Sequence, residues 1–135
     1  MDPSREQILV VDDEEPIRTL AVKLLHAIGY DVDAVATGRA AIELYTRARE
    51  ERRPFDVVLL DLTLPGEAGG REVLRQLQTI DPAVKAIVVS GYASDPVLAN
   101  YRDYGFNAMV AKPFTLRELT AALDEVIASE HRPAL

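Results

Sequence analysis

Val57-Val58-Leu59-Leu60 is apolar at four consecutive positions, stops on the carboxylate of Asp61, and leads through Leu62-Thr63-Leu64 into Pro65-Gly66. A strand with one wet face alternates apolar and polar residues. One without alternation is covered on both faces, which is the habit of parallel sheets. The Pro-Gly pair marks a turn just beyond. In an open α/β sheet, ligands gather at the carboxyl ends of the strands. Asp61 is the first polar group after this strand, so it stands where chemistry is expected.

The rest of the chain repeats the unit. Ile8 to Val11 is a short apolar run ended by Asp12-Asp13-Glu14-Glu15-Pro16. This reads as a strand, an acidic loop and a helix with proline in its first turn. Ile17, Leu20, Ala21, Leu24, Leu25 and Ile28 recur at helical spacing up to Gly29. Tyr30 to Ala36 reads as a less buried strand, and Thr37 caps a helix along Ala40, Ala41, Leu44 and Ala48. After the Asp61 strand come a glycine-bearing loop, a helix with Val73, Leu74 and Leu77, and a break at Asp81-Pro82. Val84 to Val89 is a second β-branched strand ending at Ser90-Gly91, and a helix is expected from Asp95 to Tyr104. Ala108 to Ala111 is the last strand, before Lys112-Pro113-Phe114. Thr115 and Glu118 form a capping box for a final helix with Leu119, Leu123, Val126 and Ile127 inward. One βα unit about every two dozen residues implies a single α/β domain, a (βα)5 parallel sheet with helices on both faces and right-handed crossovers.

At 135 residues the chain is expected to be one domain over 7–128, with a disordered extension at 1–6 and a tail at 129–135. There are no cysteines, which excludes disulfides, thiolate catalysis and zinc–thiolate sites and fits a cytoplasmic location. No apolar run approaches the roughly 20 residues of a membrane span, and Met1 to Gln7 is unlike a signal peptide. No membrane partner is therefore expected. A net charge of −7 argues against a nucleic-acid partner.

The first strand ends at Asp12-Asp13, the third at Asp61, the fourth at Ser90 and the fifth at Lys112. Parallel strands all finish on one edge, so these side chains can converge although they lie far apart in the chain. Carboxylates crowded into a partly buried cleft repel one another. A hard divalent cation, Mg²⁺ or alternatively Mn²⁺, relieves this and is commonly held by one or two carboxylates plus waters. Lys112 adds a compact positive charge and Ser90 a hydroxyl donor. The set suits a tetrahedral dianion carried on Asp61 as an aspartyl-phosphate, since phosphoryl transfer needs mainly positioning and charge neutralisation. Each residue has a plainer reading. Acidic residues before a helix complement its dipole, an Asp or Ser-Gly after a strand is a turn, and Lys-Pro is a loop. The common edge favours the shared site.

Val10-Val11-Asp12-Asp13-Glu14, Leu59-Leu60-Asp61-Leu62-Thr63-Leu64-Pro65-Gly66, Val89-Ser90-Gly91-Tyr92-Ala93 and Lys112-Pro113-Phe114 follow in this order. Together they resemble the receiver domain of two-component response regulators, and the likeness covers nearly the whole chain. The resemblance implies a flavodoxin-like, doubly wound five-stranded sheet of order 2-1-3-4-5. It also implies a signalling phosphoacceptor, not an enzyme that turns over an outside substrate. Asp61 would accept a phosphoryl group from a phosphohistidine on a sensor histidine kinase or histidine phosphotransfer protein. Asp12, Asp13, Asp61 and the main-chain carbonyl of Thr63 would hold Mg²⁺, while Ser90 and Lys112 would contact the phosphoryl oxygens. The Lys112-Pro113 bond would be cis, and Thr63 and Tyr92 would tune the slow hydrolysis. Two departures stand out. Met109 occupies the position, three before the site lysine, where many receivers carry the Phe or Tyr that swings inward on phosphorylation. Pro65 to Glu72 is one residue longer than the common pattern. With Ser90 to Ala93 and Asn100 to Phe106, it resembles receivers at the C-terminal end of hybrid sensor histidine kinases.

Three functions compete: a phosphoacceptor switch, a binding-only module of the same fold, and a metal-dependent phosphatase of small substrates. The intact Asp12, Asp13, Asp61, Ser90 and Lys112 favour the first, and Met109 leaves room for the second. The third lacks a separate general base. No output domain is expected after the last helix. Output is expected through the face of the fourth helix, fifth strand and fifth helix, to a downstream protein, a phosphorelay partner or a second copy as a homodimer. His26 and His131 are the only histidines and read as surface residues, so the phosphohistidine lies on another protein. Gly66, Gly69 and Gly70 fit neither a Walker loop nor the Rossmann fingerprint. Tyr101, Tyr104 and Phe106 read as packing, not as a base-stacking platform.

Overall fold

In the computed structural model, which describes residues 5–65, 69–91 and 96–131, the apolar runs become β1 (Gln7–Val11), β2 (Asp31–Val35), β3 (Val57–Asp61), β4 (Ala86–Ser90) and β5 (Ala108–Ala111). All pairings are parallel and the order is β2-β1-β3-β4-β5, as the resemblance implies. The helices are α1 (Glu15–Ala27), α2 (Gly38–Glu50), α3 (Gly70–Ile80), α4 (Pro96–Ala99) and α5 (Leu116–His131).

Successive strand side chains point to opposite faces, so each central strand feeds two cores. Leu9, Val11, Val58, Leu60 and Val88 pack with Ala41 and Tyr45 of α2 and Val73, Leu74 and Leu77 of α3. Ile8, Val10, Val57, Leu59 and Ile87 pack with Ala21 and Leu25 of α1 and Leu119, Leu123 and Val126 of α5. This is why β3 and β4 are buried at every position while the edge strand β2 has no buried residue. Each such side chain contributes roughly 1.5–3 kcal/mol on burial, so the two cores hold the sheet against its chain entropy.

β1 pairs with β2 on one side and with β3 on the other. The chain leaves β1 in one direction along the sheet and later proceeds in the other, and a crevice opens at such a switch point beyond the strand ends. Local chemistry sets most boundaries. The Thr37 hydroxyl accepts the Ala40 amide at 3.1 Å, and Thr115 and Glu118 exchange the two reciprocal bonds of a capping box, both at 3.1 Å. Gly29, with φ 101°, turns the chain out of α1.

Several boundaries differ from the sequence expectation; β4, for one, runs over Ala86–Ser90 and not from Val84. Helical bonding in α4 holds only over Pro96–Ala99, and the chain reaches Gly105 by tighter turns, such as Tyr104 amide to Tyr101 carbonyl at 3.2 Å. The Asn100 side-chain amide also donates to the Pro96 carbonyl at 3.3 Å, the kind of local bond by which asparagine competes with a helix. Arg5 and Glu6, expected in the extension, are tied to β2. The Glu6 carbonyl accepts the Asp31 amide at 3.0 Å, and Arg5 lies 3.7 Å from the Asp31 carboxylate, because the ladder runs on past β1. α5 continues to His131, into the expected tail, since no helix breaker occurs before Pro133. Gly66, Tyr92 and the expected helix start at Asp95 lie outside the described residues. Among the described residues no helix is long and apolar enough to cross a membrane.

Candidate functional site

The crevice is walled by the ends of β1, β3, β4 and β5. Asp12, the first residue past β1, is 3% exposed. Its amide donates to the Val35 carbonyl at 3.1 Å, its Oδ1 accepts the Glu14 amide at 2.9 Å, and its carbonyl accepts Arg18 Nη1 at 2.8 Å. Asp61 closes β3 and is 1% exposed. Its Oδ1 accepts the Thr63 amide at 3.0 Å and the Thr63 hydroxyl at 3.2 Å. Its Oδ2 is buried and accepts no hydrogen bond from a described residue; Lys112 Nζ lies 3.5 Å away. Lys112 follows β5 directly. Its amide donates to the carbonyl of the fully buried Ser90, and its Nζ lies 2.8 Å from Asp12 Oδ2 and 3.3 Å from Glu14 Oε1. The Lys112-Pro113 peptide is cis. Asp13 is exposed at the mouth, and Asp12, Asp13 and Asp61 each offer a carboxylate oxygen within 4.8 Å of the others.

Burial pushes the Asp61 carboxyl above its ordinary 3.8, and the Asp12 charge adds to this, against the Thr63 hydrogen bonds and Lys112. Burial alone would lower Lys112, but the hydrogen bond to Asp12 and the charges of Asp61 and Glu14 outweigh it and hold the ammonium above 10.5. The lysine is therefore a fixed positive charge at neutral pH, and one cation faces more carboxylates than it can neutralise. The residues present fit a divalent cation: hard oxygen donors converge, and Asp61 Oδ2 is a buried acceptor with no hydrogen bond among the described residues.

The expected site residues Asp12, Asp13, Asp61, Ser90, Thr63 and Lys112 thus lie together on one edge. Met109 does not join them. It sits on β5, half-buried against the core that α2 and α3 cover. Pro113 is exposed, and Tyr92 is outside the described residues. Three contributors escaped the sequence reading. Arg18 braces the Asp12 carbonyl, Glu14 pairs with Lys112, and Gly70 packs on the Asp61 main chain. Gly70 left a local signal in a Gly-Gly pair at a helix start and Glu14 in the acidic run after β1, whereas nothing local marked Arg18.

The family model of the response regulator receiver domain matches residues 8–124. The chain belongs to that family. This receiver domain is 30% identical over 122 residues to sporulation initiation phosphotransferase F of Bacillus subtilis (strain 168), spanning 90% of the chain and 94% of that protein. It is 33% identical over 120 residues to sensor kinase CckA of Brucella abortus (strain 2308), spanning 89% of the chain but 12% of the kinase. Among solved structures it is similar to the receiver domain of a sensor histidine kinase from Pseudomonas aeruginosa PAO1, which has a magnesium ion coordinated in its active-site cleft. That match has a TM-score of 0.80 and 28% identity over 93% of this chain and 99% of the other. Receiver domains take phosphoryl groups from histidine kinases or phosphotransfer proteins, and the pocket of Asp12, Asp13 and Asp61 fits the family's magnesium-binding phosphoacceptor site.

Proposed function

We propose that Asp61 accepts a phosphoryl group from the phosphohistidine of a sensor histidine kinase or histidine phosphotransfer protein in a two-component or phosphorelay pathway. The observation that carries this is the buried Asp61 carboxylate, with Asp12 and Asp13 oxygens within 4.8 Å and Lys112 Nζ 3.5 Å from its Oδ2. Thr63 holds Oδ1, which leaves Oδ2 as the attacking atom. A bond forms from Oδ2 to phosphorus as the phosphorus–nitrogen bond of the donor breaks, and the imidazole departs with the electron pair. Asp12, Asp13, Asp61 and the Thr63 main-chain carbonyl would hold Mg²⁺, or Mn²⁺ in its place. When bound, the ion supplies charge neutralisation on the phosphoryl oxygens. Lys112 and Ser90 donate to those oxygens. Attack by water on phosphorus later returns Asp61 to a carboxylate, at a rate tuned by Thr63 and Tyr92, so the domain is a timed switch, not a turnover enzyme.

Met109 takes the place of the swinging aromatic and conveys the change by repacking in the core it already touches, as flexible methionine can. The readout face is α4, β5 and α5, offered to a downstream protein, a relay partner or a second copy in a homodimer. The likeness to a segment of a sensor kinase supports a place within a larger cytoplasmic kinase. Intact-mass spectrometry after incubation with Mg²⁺ and acetyl phosphate tests the acceptor. A phosphoryl adduct on the wild type but not on Asp61→Ala is expected. Equal adducts on both, or neither an adduct nor Mg²⁺ binding by NMR titration, would overturn the reading.

A further inference from the structure

Arg18 sits half-buried on α1, just beyond the acidic run Asp12-Asp13-Glu14-Glu15, and yet it forms no ion pair among the described residues. Its Nη1 donates instead to the main-chain carbonyl of Asp12, at 2.8 Å. That carbonyl lies directly past β1 and has no other donor among the described residues. On the other side of the residue, the Asp12 amide is held by the Val35 carbonyl at 3.1 Å. A peptide group is planar, so the Asp12 carbonyl and the Asp13 amide and Cα move as one body. Fixing the carbonyl fixes the point from which the Asp13 side chain departs.

Asp13 has no such support of its own. It is exposed, and its carboxylate makes no hydrogen bond or ion pair among the described residues. It nonetheless offers an oxygen within 4.8 Å of oxygens of Asp12 and Asp61. The Glu14 amide also ties this stretch, but it donates to Asp12 Oδ1 at 2.9 Å and so occupies a carboxylate oxygen. The Arg18 bond occupies none. Building on the phosphoacceptor reading above and its divalent-cation site, we propose that Arg18 is a positioning residue for the cation. Through the Asp12 carbonyl it sets the Asp12-Asp13 peptide, so that the Asp13 carboxylate already stands beside those of Asp12 and Asp61 when a divalent cation arrives. Groups that orient metal ligands contribute about ten- to hundredfold in affinity. The guanidinium charge acts the other way: it repels the cation, and its removal alone would tighten binding. Because the two effects have opposite signs, the direction of the change separates them.

Mg²⁺ is titrated by NMR into the intact wild type, Arg18→Met and Arg18→Ala, at a temperature where calorimetry shows all three folded. Both variants lose the donor and the charge, while methionine keeps most of the apolar stem. Both should bind Mg²⁺ about three- to tenfold more weakly than the wild type, the loss of orientation less the relief of repulsion. Unchanged or tighter binding by Arg18→Met would overturn the inference and leave Arg18 as a strap between α1 and the end of β1, with Asp61 still the acceptor. Weaker binding by Arg18→Ala alone would trace to the stem and overturn it equally. Absence of Mg²⁺ binding by the wild type would sink the metal-dependent phosphoacceptor reading and this inference with it.

Discussion

Gly70 opens α3 without a side chain because there is no room for one. A Cβ placed there would lie 2.5 Å from the Asp61 carbonyl oxygen and 2.8 Å from Leu62 Cα, both main-chain atoms. The Gly70 amide also donates to the Leu62 carbonyl at 3.1 Å, so the start of α3 rests on the peptide that carries the acceptor. In an open helix, alanine is favoured over glycine by about 1 kcal/mol. Relieving the Gly70 contact instead needs backbone movement, and overpacking of this kind costs ~1–3 kcal/mol. The upper end applies, because neither atom can rotate aside. We expect Gly70→Ala to lose about 1–2 kcal/mol net, which for a domain of this size lowers Tm by roughly 3–8 °C. The displacement falls on Asp61, so Mg²⁺ affinity should drop several-fold, and phosphoryl uptake from acetyl phosphate should drop at temperatures where the variant is fully folded. Calorimetry and NMR titration with Mg²⁺ read the two effects separately. A Tm at or above that of the wild type would refute the steric argument, and a lowered Tm with unchanged Mg²⁺ affinity would refute its link to the site.

The pH dependence of stability should carry the mark of Asp61. Its folded pKa lies above the unfolded value of 3.8, so the stability it adds is full below 3.8 and is lost as pH rises through the folded value. Asp61→Asn should therefore flatten the decline in metal-free urea stability as pH rises above 3.8, and superimposable profiles would count against the raised pKa. Mg²⁺ competes with the same proton, so its affinity should fall on acidification sooner than at an ordinary carboxylate site. Tyr45, buried and donating to Asp81 Oδ2 at 2.7 Å, has its phenol pKa pushed far above 10.0 by burial and by that bond. Tyr45→Phe should cost about 1.5–3 kcal/mol as a lower urea midpoint at constant slope, and an unmoved midpoint would refute that value for the bond. Thr37→Ala removes the α2 cap and should cost about 1 kcal/mol, with Thr37→Asp retaining most of it.

The rhythm of strands and helices was legible because each βα unit writes its signals locally. β3 and β4 lack alternation since both their faces are covered, and β2 carries Asp31 and Asp33 and has no buried residue since it is an edge. The caps at Thr37 and Thr115 reach only three residues along the chain, so a short window contains both partners. α4 was read too long because its end depends on turns and a side-chain bond at Asn100 that helical periodicity does not register. That Asp12, Asp61, Ser90 and Lys112 would share one edge could be expected from their positions at strand ends, and the family resemblance supplied the roles proposed for them.

What the sequence by itself determined is therefore the class of fold, the edge of the sheet where the polar strand-end residues gather, and the residue types found there. The tertiary structure alone decided that Glu14 meets Lys112 across a separation of 98 residues, that Arg18 braces the Asp12 carbonyl, and that Gly70 lies against the Asp61 main chain. It also left Asp61 Oδ2 buried without a hydrogen bond among the described residues. Periodicity and capping record what happens within a few residues of chain. Distances between strand ends depend on how both cores pack the strands into register, and a local pattern carries no measure of that.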